Sequence, residues 1–259
     1  MTPWQRSCSH NRVIAPQTRW AEHIPERQWR IYSSVIEGAQ ELGIPFALGG
    51  AFAVATYTGH WRNTKDLDLY VLPQHRQRMI QVIHKVGLRD YYDDKPYDRW
   101  WIYRAHSGQT IVDTIWATAN HRAQIDGLWM SGPEIKLRGY VLNVLPPEAL
   151  LWDKLYIMQR DRCDWPDVLN LMYVAGREID WKYLVRRIGA DTALLAGVLA
   201  VFAWIAPGRA RQLPEWLWDR LGLARQPAAA AVEIDKRHAD LLDLRPWFVP
   251  GRKRLQEAA

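Results

Sequence analysis

The stretch LGGAFAVATYTGHWRNTKDLDL, residues 48–69, decides the fold. A short apolar run, Ile44 to Leu48, delivers the chain to Gly49-Gly50. Two glycines there let the backbone approach closely and leave N–H groups free at the head of a helix, a place that suits a phosphate. Ala51 to Thr58 is small and apolar, as expected of a helix packed tightly on a sheet, and Gly59 ends it. Leu67 to Leu72 reads as a strand with acids at Asp66 and Asp68, closed by Pro73. Period-two alternation puts both carboxylates on one face and Leu67 and Leu69 on the other. Adjacent carboxylates repel, and a hard divalent cation such as Mg²⁺ relieves that repulsion while also taking substrate phosphates. Asp113 lies in IVDTIWA, a strand otherwise apolar, where an acid is costly unless it is paired or binds metal.

Working outward, residues 26–42 carry Trp29, Tyr32, Val35, Ile36, Ala39 and Leu42 at helical spacing, between Pro25 and Gly43. Residues 75–86 predict a second such helix. Trp100 to Ala105 and Thr110 to Trp116 predict a strand pair around His106-Ser107-Gly108-Gln109, and residues 134–144 one or two strands around Gly139. From Pro147 the pattern is helical, over 148–160, 165–175, 180–188, 192–205 and 214–221. Gln226 to Ala231 reads as a linker. The fold class is therefore α/β (α+β). A small mixed sheet of about four to five strands, with helices on one side, occupies 20–145, and a helical C-terminal domain occupies 146–259.

With 259 residues, 48% hydrophobic and 24% charged, the chain can build a core and is not disordered by composition. The longest apolar run, Ala193 to Pro207, falls short of the ~20 residues of a membrane span, and the first residues hold no signal-like apolar region. Cys8 and Cys163 form no disulfide framework or metal cage. The expectation is a cytoplasmic protein with no membrane partner. Fifteen Trp are expected to fill core and interdomain gaps. The net charge of +6 permits a polyanionic partner without demanding one. Scattered histidines exclude a zinc signature, and nucleophile-elbow, dinucleotide and P-loop spacings are missing from the sequence.

In the helix after Pro147, Lys154 shares an apolar stripe with Leu150, Leu151, Leu155 and Met158. A lysine on a buried stripe needs an anion, and a triphosphate is the obvious one. Arg160 is read as reaching phosphate and Arg162 as lying on a solvated face. Asp164, before Trp165-Pro166, reads as an N-cap. Asp167 sits at N3, where the helix dipole favours an acid, and is divided between capping and site function.

The order Gly-Gly, helix, Asp-x-Asp, lone strand Asp resembles the nucleotidyltransferase superfamily of the DNA polymerase β type. The spacer of 15 residues from Gly50 to Asp66 is a little longer than the minimal pattern. It includes Arg62-Asn63-Thr64, which resembles the bacterial subfamily containing the toxin component AbiEii. PPEALLWDKLYIMQRDRCDWPDVLNL, residues 146–171, is similar to that subfamily's second half. The resemblance covers 44–176 and implies Mg²⁺-dependent transfer of a nucleoside monophosphate from an NTP to a hydroxyl, with release of pyrophosphate. Asp66, Asp68 and Asp113 would hold two Mg²⁺ (or Mn²⁺), and Asp113 would also take the acceptor proton. Gly49, Gly50, Arg62, Thr64, Arg160 and Asp167 would bind nucleotide, and Lys154 would neutralise the leaving pyrophosphate. The implied acceptor is RNA, most simply a tRNA 3′ end, in a toxin-like role with an antitoxin partner. Arg62, Lys65 and Arg122 would add positive charge near the cleft. An aminoglycoside or a protein side chain is the alternative acceptor, and a non-catalytic binding partner of the same fold is the alternative class.

Overall fold

A computed structural model of the chain describes residues 16–62, 64–225 and 232–248. The expected linker Gln226–Ala231, Cys8 and Asn63 lie outside the described residues. The helical stripe of 26–42 folds as α1 (Glu26–Glu41), which buries Trp29, Tyr32, Val35, Ile36 and Ala39. Each large apolar side chain so buried contributes about 1.5–3 kcal/mol. There follow β1 (Phe46–Leu48), α2 (Gly50–Thr58), β2 (Asp66–Val71), α3 (Arg76–Lys85), β3 (Arg89–Asp90), β4 (Ile102–Ser107), β5 (Thr110–Ile115), β6 (Glu134–Leu137) and β7 (Tyr140–Val144).

The strands form one mixed sheet of seven in the order β3-β4-β5-β2-β1-β7-β6, larger than the four to five expected. The excess has two sources. β3 is only two residues long, too short to carry a pattern. Residues 134–144 make a full antiparallel pair around Arg138-Gly139, both with positive φ, and β7 then lies parallel to β1. The central strands are fixed by three ladders. β1 runs antiparallel to β2, β2 parallel to β5, and β5 antiparallel to β4. The β4–β5 turn is tighter than expected. Ser107 pairs directly with Thr110, so Gly108-Gln109 alone turn the chain, with Gly108 at φ +60°.

α2 is buried on nearly every side, from Ala51 to Thr58. Thr56 and Thr58 tolerate this because their hydroxyls donate to the Phe52 and Val54 carbonyls at 2.9 and 2.7 Å. α1 and α3 pack together and against β5. The helical half begins with α4 (Pro147–Leu155) and α5 (Trp165–Ala175). α4 ends five residues before the expected 160. There the chain enters a small hairpin bridged by Met158 and Cys163, with Gln159 N–H donating to the Arg162 carbonyl at 2.7 Å. α4 also reaches the acid-bearing face of the sheet, where Tyr70 donates to Asp153 at 2.8 Å. Helices therefore do not keep to one side of the sheet.

α6 (Trp181–Ile188), α7 (Thr192–Ile205), α8 (Pro207–Ala210), α9 (Glu215–Arg220) and α10 (Lys236–Leu242) complete the chain. α8 and α10 were not legible as helices. The stretch Trp181–Ile205 is long and apolar enough, by length and composition, to cross a membrane. A turn at Gly189 (φ +62°) breaks it, however, and α7 is 14 residues, roughly 21 Å, against a hydrocarbon core of about 30 Å. Leu195, Val198, Leu199 and Phe202 of α7 are fully buried, as in a core helix. Trp20, Trp29, Trp116, Trp129, Trp152, Trp181 and Trp218 are buried in the core as expected, whereas Trp100 and Trp204 are exposed.

Candidate active site

The turn from β1 into α2 requires both glycines. Gly50 has φ +49°, and a Cβ there would stand 1.7 Å from Asp68 Oδ2. A Cβ on Gly49 would stand 2.1 Å from the Tyr70 ring, which is stacked on Trp129. Gly49 does not offer the free N–H expected of it: it donates to the Asp68 carbonyl at 3.0 Å and ties the turn to β2. Gly50 and Ala51 line the cavity instead, at the uncapped N-terminus of α2. We expect Gly50→Ala to cost about 1–3 kcal/mol from the backbone strain alone and to displace Asp68. Urea unfolding checks this, and an unchanged midpoint would contradict it.

Around this turn lies a cavity of ≈ 280 Å³ whose walls come from both halves of the chain. β2 contributes Asp66, Asp68 and Tyr70 from one face, as period two requires. Asp113 of β5 stands in register beside Asp68. Burial, then the charges of Asp113 and Asp66, push the Asp68 carboxyl up to about 7. Asp66 and Asp68 thus fit a divalent cation, whose charge would relieve the repulsion they carry.

Asp113 departs from its expected role. It is 1% exposed, and both oxygens are bound by one guanidinium: Arg104 Nε donates to Oδ1 at 2.8 Å and Nη2 to Oδ2 at 2.5 Å. A carboxylate held this way has one lone pair on each oxygen already engaged by arginine. Among the described residues no group of three or more His, Cys, Asp or Glu could hold a metal ion. Of the three expected acids, Asp113 is the one the structure pairs with an arginine.

Lys154 is inward-facing and buried, as its stripe predicts, at 2% exposure. Its anion is internal. Nζ meets Asp164 Oδ2 at 2.8 Å and Asp167 Oδ2 at 2.7 Å. Against the cost of burial, these two carboxylates raise the lysine's pKa. Asp164 occupies the N-cap position of α5, but its side chain caps nothing. It turns to Lys154 and to Arg162, which donates from Nε at 3.0 Å. Although burial works against it, Arg162 and Lys154 hold Asp164 down at about 2. Asp167 also pairs with Arg62 at 3.2 Å. The two arginines are exchanged relative to expectation. Arg160 is exposed and off the cavity wall, because the hairpin after α4 turns it away, while Arg162 lines the cavity. Arg62 and Thr64 line it as expected; Thr64 Oγ1 accepts from the Asp66 N–H at 3.2 Å and holds the start of β2.

Among the wall residues that escaped the sequence reading are Arg104, Asp153 and Tyr70. Tyr70 was accessible as the next same-face residue after Asp68. Asp153, half-buried and with its pKa raised by desolvation, accepts from the Tyr70 hydroxyl at 2.8 Å. Of the cations expected to attract RNA, Arg62 is paired with Asp167 and Arg122 with Asp191 at 2.9 Å. Lys65 is exposed and donates to Gln109 at 3.0 Å.

No protein-family model matches the chain, and no curated protein matches it. Among solved structures, it is similar to the antibiotic-resistance factor ANT(2'')-Ia in solution, with 17% identity and a TM-score of 0.46, over 66% of this chain and 95% of that one. It is also similar to an antigenic nucleotidyltransferase-like protein from Paracoccidioides brasiliensis, with 18% identity and a TM-score of 0.45, over 84% and 99%. The lincosamide antibiotic adenylyltransferase LnuA, bound to lincomycin, matches with 18% identity and a TM-score of 0.42, over 58% and 98%.

Proposed function

We propose that the chain transfers a nucleoside monophosphate from an NTP to a hydroxyl acceptor and releases pyrophosphate. One observation carries this reading. Two same-face carboxylates, one with its pKa raised by its neighbours, adjoin a glycine turn whose Cβ positions are filled, in a cavity also lined by Arg62, Arg104 and Arg162. That combines a divalent-cation site with a polyphosphate site. Asp66 and Asp68 would hold Mg²⁺ or Mn²⁺, which when bound polarises the transferred phosphoryl group. The Gly50 and Ala51 N–H groups, at the positive end of α2, bind phosphate oxygens. Arg62 and Arg162 stand about half exposed at the mouth, and the two acids that hold them share Lys154 as a further partner. Either arginine can turn to a triphosphate while Lys154 and the other arginine keep Asp164 and Asp167 balanced. Lys154 keeps Asp164 and Asp167 in place, and Thr64 fixes the start of the acid-bearing strand.

The acceptor enters over Trp101, Ile102, Ile115, Tyr156 and Ile157. Thr118, Asn120 and Gln159 add polar groups to this wall, and with Arg122 paired to Asp191 and Arg62 assigned to the triphosphate, Lys65 is what remains of the three charges that favoured RNA. A small hydroxylated molecule is the acceptor class the cavity supports best. A tRNA 3′ end is the second reading, favoured by the net charge of +6. The protein is incubated with each α-labelled NTP, Mg²⁺ and either a tRNA pool or small polyols and aminoglycosides, between ~50 and ~200 mM salt. The proposal expects label in a small acceptor, with little salt dependence. Label in RNA, with steep loss at high salt, would select the second reading. No labelled acceptor in either pool would remove both.

A further inference from the structure

Asp68, Asp113 and Arg104 form a row across three adjacent strands. β2 and β5 are parallel with Asp68 opposite Asp113, and β5 and β4 are antiparallel with Asp113 opposite Arg104. Residues in register on neighbouring strands turn to the same face, so this row lies along the cavity wall beside Asp66. The lone pairs with which a carboxylate ligates a cation are the ones that accept hydrogen bonds. The Arg104 fork takes one lone pair on each Asp113 oxygen, on the side where a carboxylate would chelate a cation with both. A second divalent ion at this position would find only the remaining lone pair on each oxygen and would sit close to a fixed positive charge. Arg104 is itself held. Its backbone N–H donates to the Tyr97 hydroxyl at 2.8 Å, and its guanidinium lies 5.9 Å from the centre of the Tyr91 ring.

We infer that this site takes one divalent cation, on Asp66 and Asp68, and that Arg104 supplies in fixed form the second positive charge that a two-metal site draws from a second ion. The inference rests on the nucleotidyl-transfer reading for there being a cation at all. Arginine does not lose its proton in proteins, so this charge is independent of pH and of metal supply. Asp113 is then a positioning residue that anchors Arg104, and not the third metal ligand or the acceptor's base.

Mn²⁺ counted on the full chain separates these accounts. The protein is equilibrated with Mn²⁺ and the non-transferable α,β-methylene analogue of ATP, and bound ions are read by equilibrium dialysis and low-temperature electron paramagnetic resonance. The inference expects one ion per chain with an uncoupled spectrum. Asp113→Asn keeps the count at one, whereas Arg104→Gln frees Asp113 and raises it to two. Two exchange-coupled ions in the unaltered protein would overturn the inference and leave the nucleotidyl-transfer reading standing. No bound ion would overturn both. A count that falls in Asp113→Asn, or stays at one in a folded Arg104→Gln, would also overturn it. The first count depends on no variant and is decisive whether or not the variants fold.

Discussion

Asp68→Asn abolishes transfer and at the same time raises the melting temperature of the metal-free protein. Loss of one of the two cation-holding carboxylates is expected to reduce turnover by about three orders of magnitude or more. The stability effect has the opposite sign because burial, then the charges of Asp113 and Asp66, push the Asp68 carboxyl up to about 7. A folded-state pKa above the unfolded value means that the fold disfavours the ionised form. The penalty is full above about pH 7 and fades as the pH falls toward 3.8, the ordinary value. Asparagine keeps the shape and removes the charge. In EDTA near pH 8 the variant should gain about 1–3 kcal/mol, several degrees in Tm, and the gap should close on acidification to about pH 4. Near-normal turnover, or a lower Tm than the unaltered protein at pH 8, would contradict this.

Lys154→Ala should be the most destabilising single change. The ammonium is buried between Asp164 and Asp167, and deleting it leaves two carboxylates with only Arg162 and Arg62, both about half exposed, to balance them. Breaking a buried ion pair by removing one partner costs about 3–5 kcal/mol, a large share of a typical stability of about 5–15 kcal/mol. The expected fall in Tm is roughly 6–20 °C. Lys154→Met combined with Asp164→Asn and Asp167→Asn should recover most of it, since neutralising the whole cluster leaves no uncompensated charge. A Lys154→Ala protein of unchanged Tm with a much raised KM for NTP would show instead that the lysine faces the triphosphate, as its sequence position first suggests.

The parts of the site that were legible rest on strong periodicities. Asp66 and Asp68 share a face because side chains alternate along a strand, and Gly49-Gly50 stands where a strand must turn into a helix. Arg104 was hidden by a difference of two loop residues. Reading His106 to Gln109 as the turn would place Arg104 opposite Ile111, whereas the two-residue turn at Gly108-Gln109 slides it opposite Asp113. Lys154 was rightly placed inside, but its partners come from the next helix, at a position fixed by tertiary packing and not by any repeat. The exchange of Arg160 for Arg162 has the same origin. The expected helix ran on to Arg160, whereas the chain leaves the helix at Leu155 and turns back at the Met158–Cys163 bridge. The seven-stranded sheet exceeded expectation because β3, with two residues, carries no pattern to read.

The central claim is that the bond broken lies between the α and β phosphorus atoms of the nucleotide. The most direct measurement follows NTP labelled separately at the α and γ phosphates through reaction with Mg²⁺ and the acceptor pools, alongside Asp68→Asn. The account predicts α-label in the acceptor, γ-label released only as pyrophosphate, and neither product with Asp68→Asn. Transfer of the γ-label to the acceptor, its release as orthophosphate, or equal product from Asp68→Asn would contradict it.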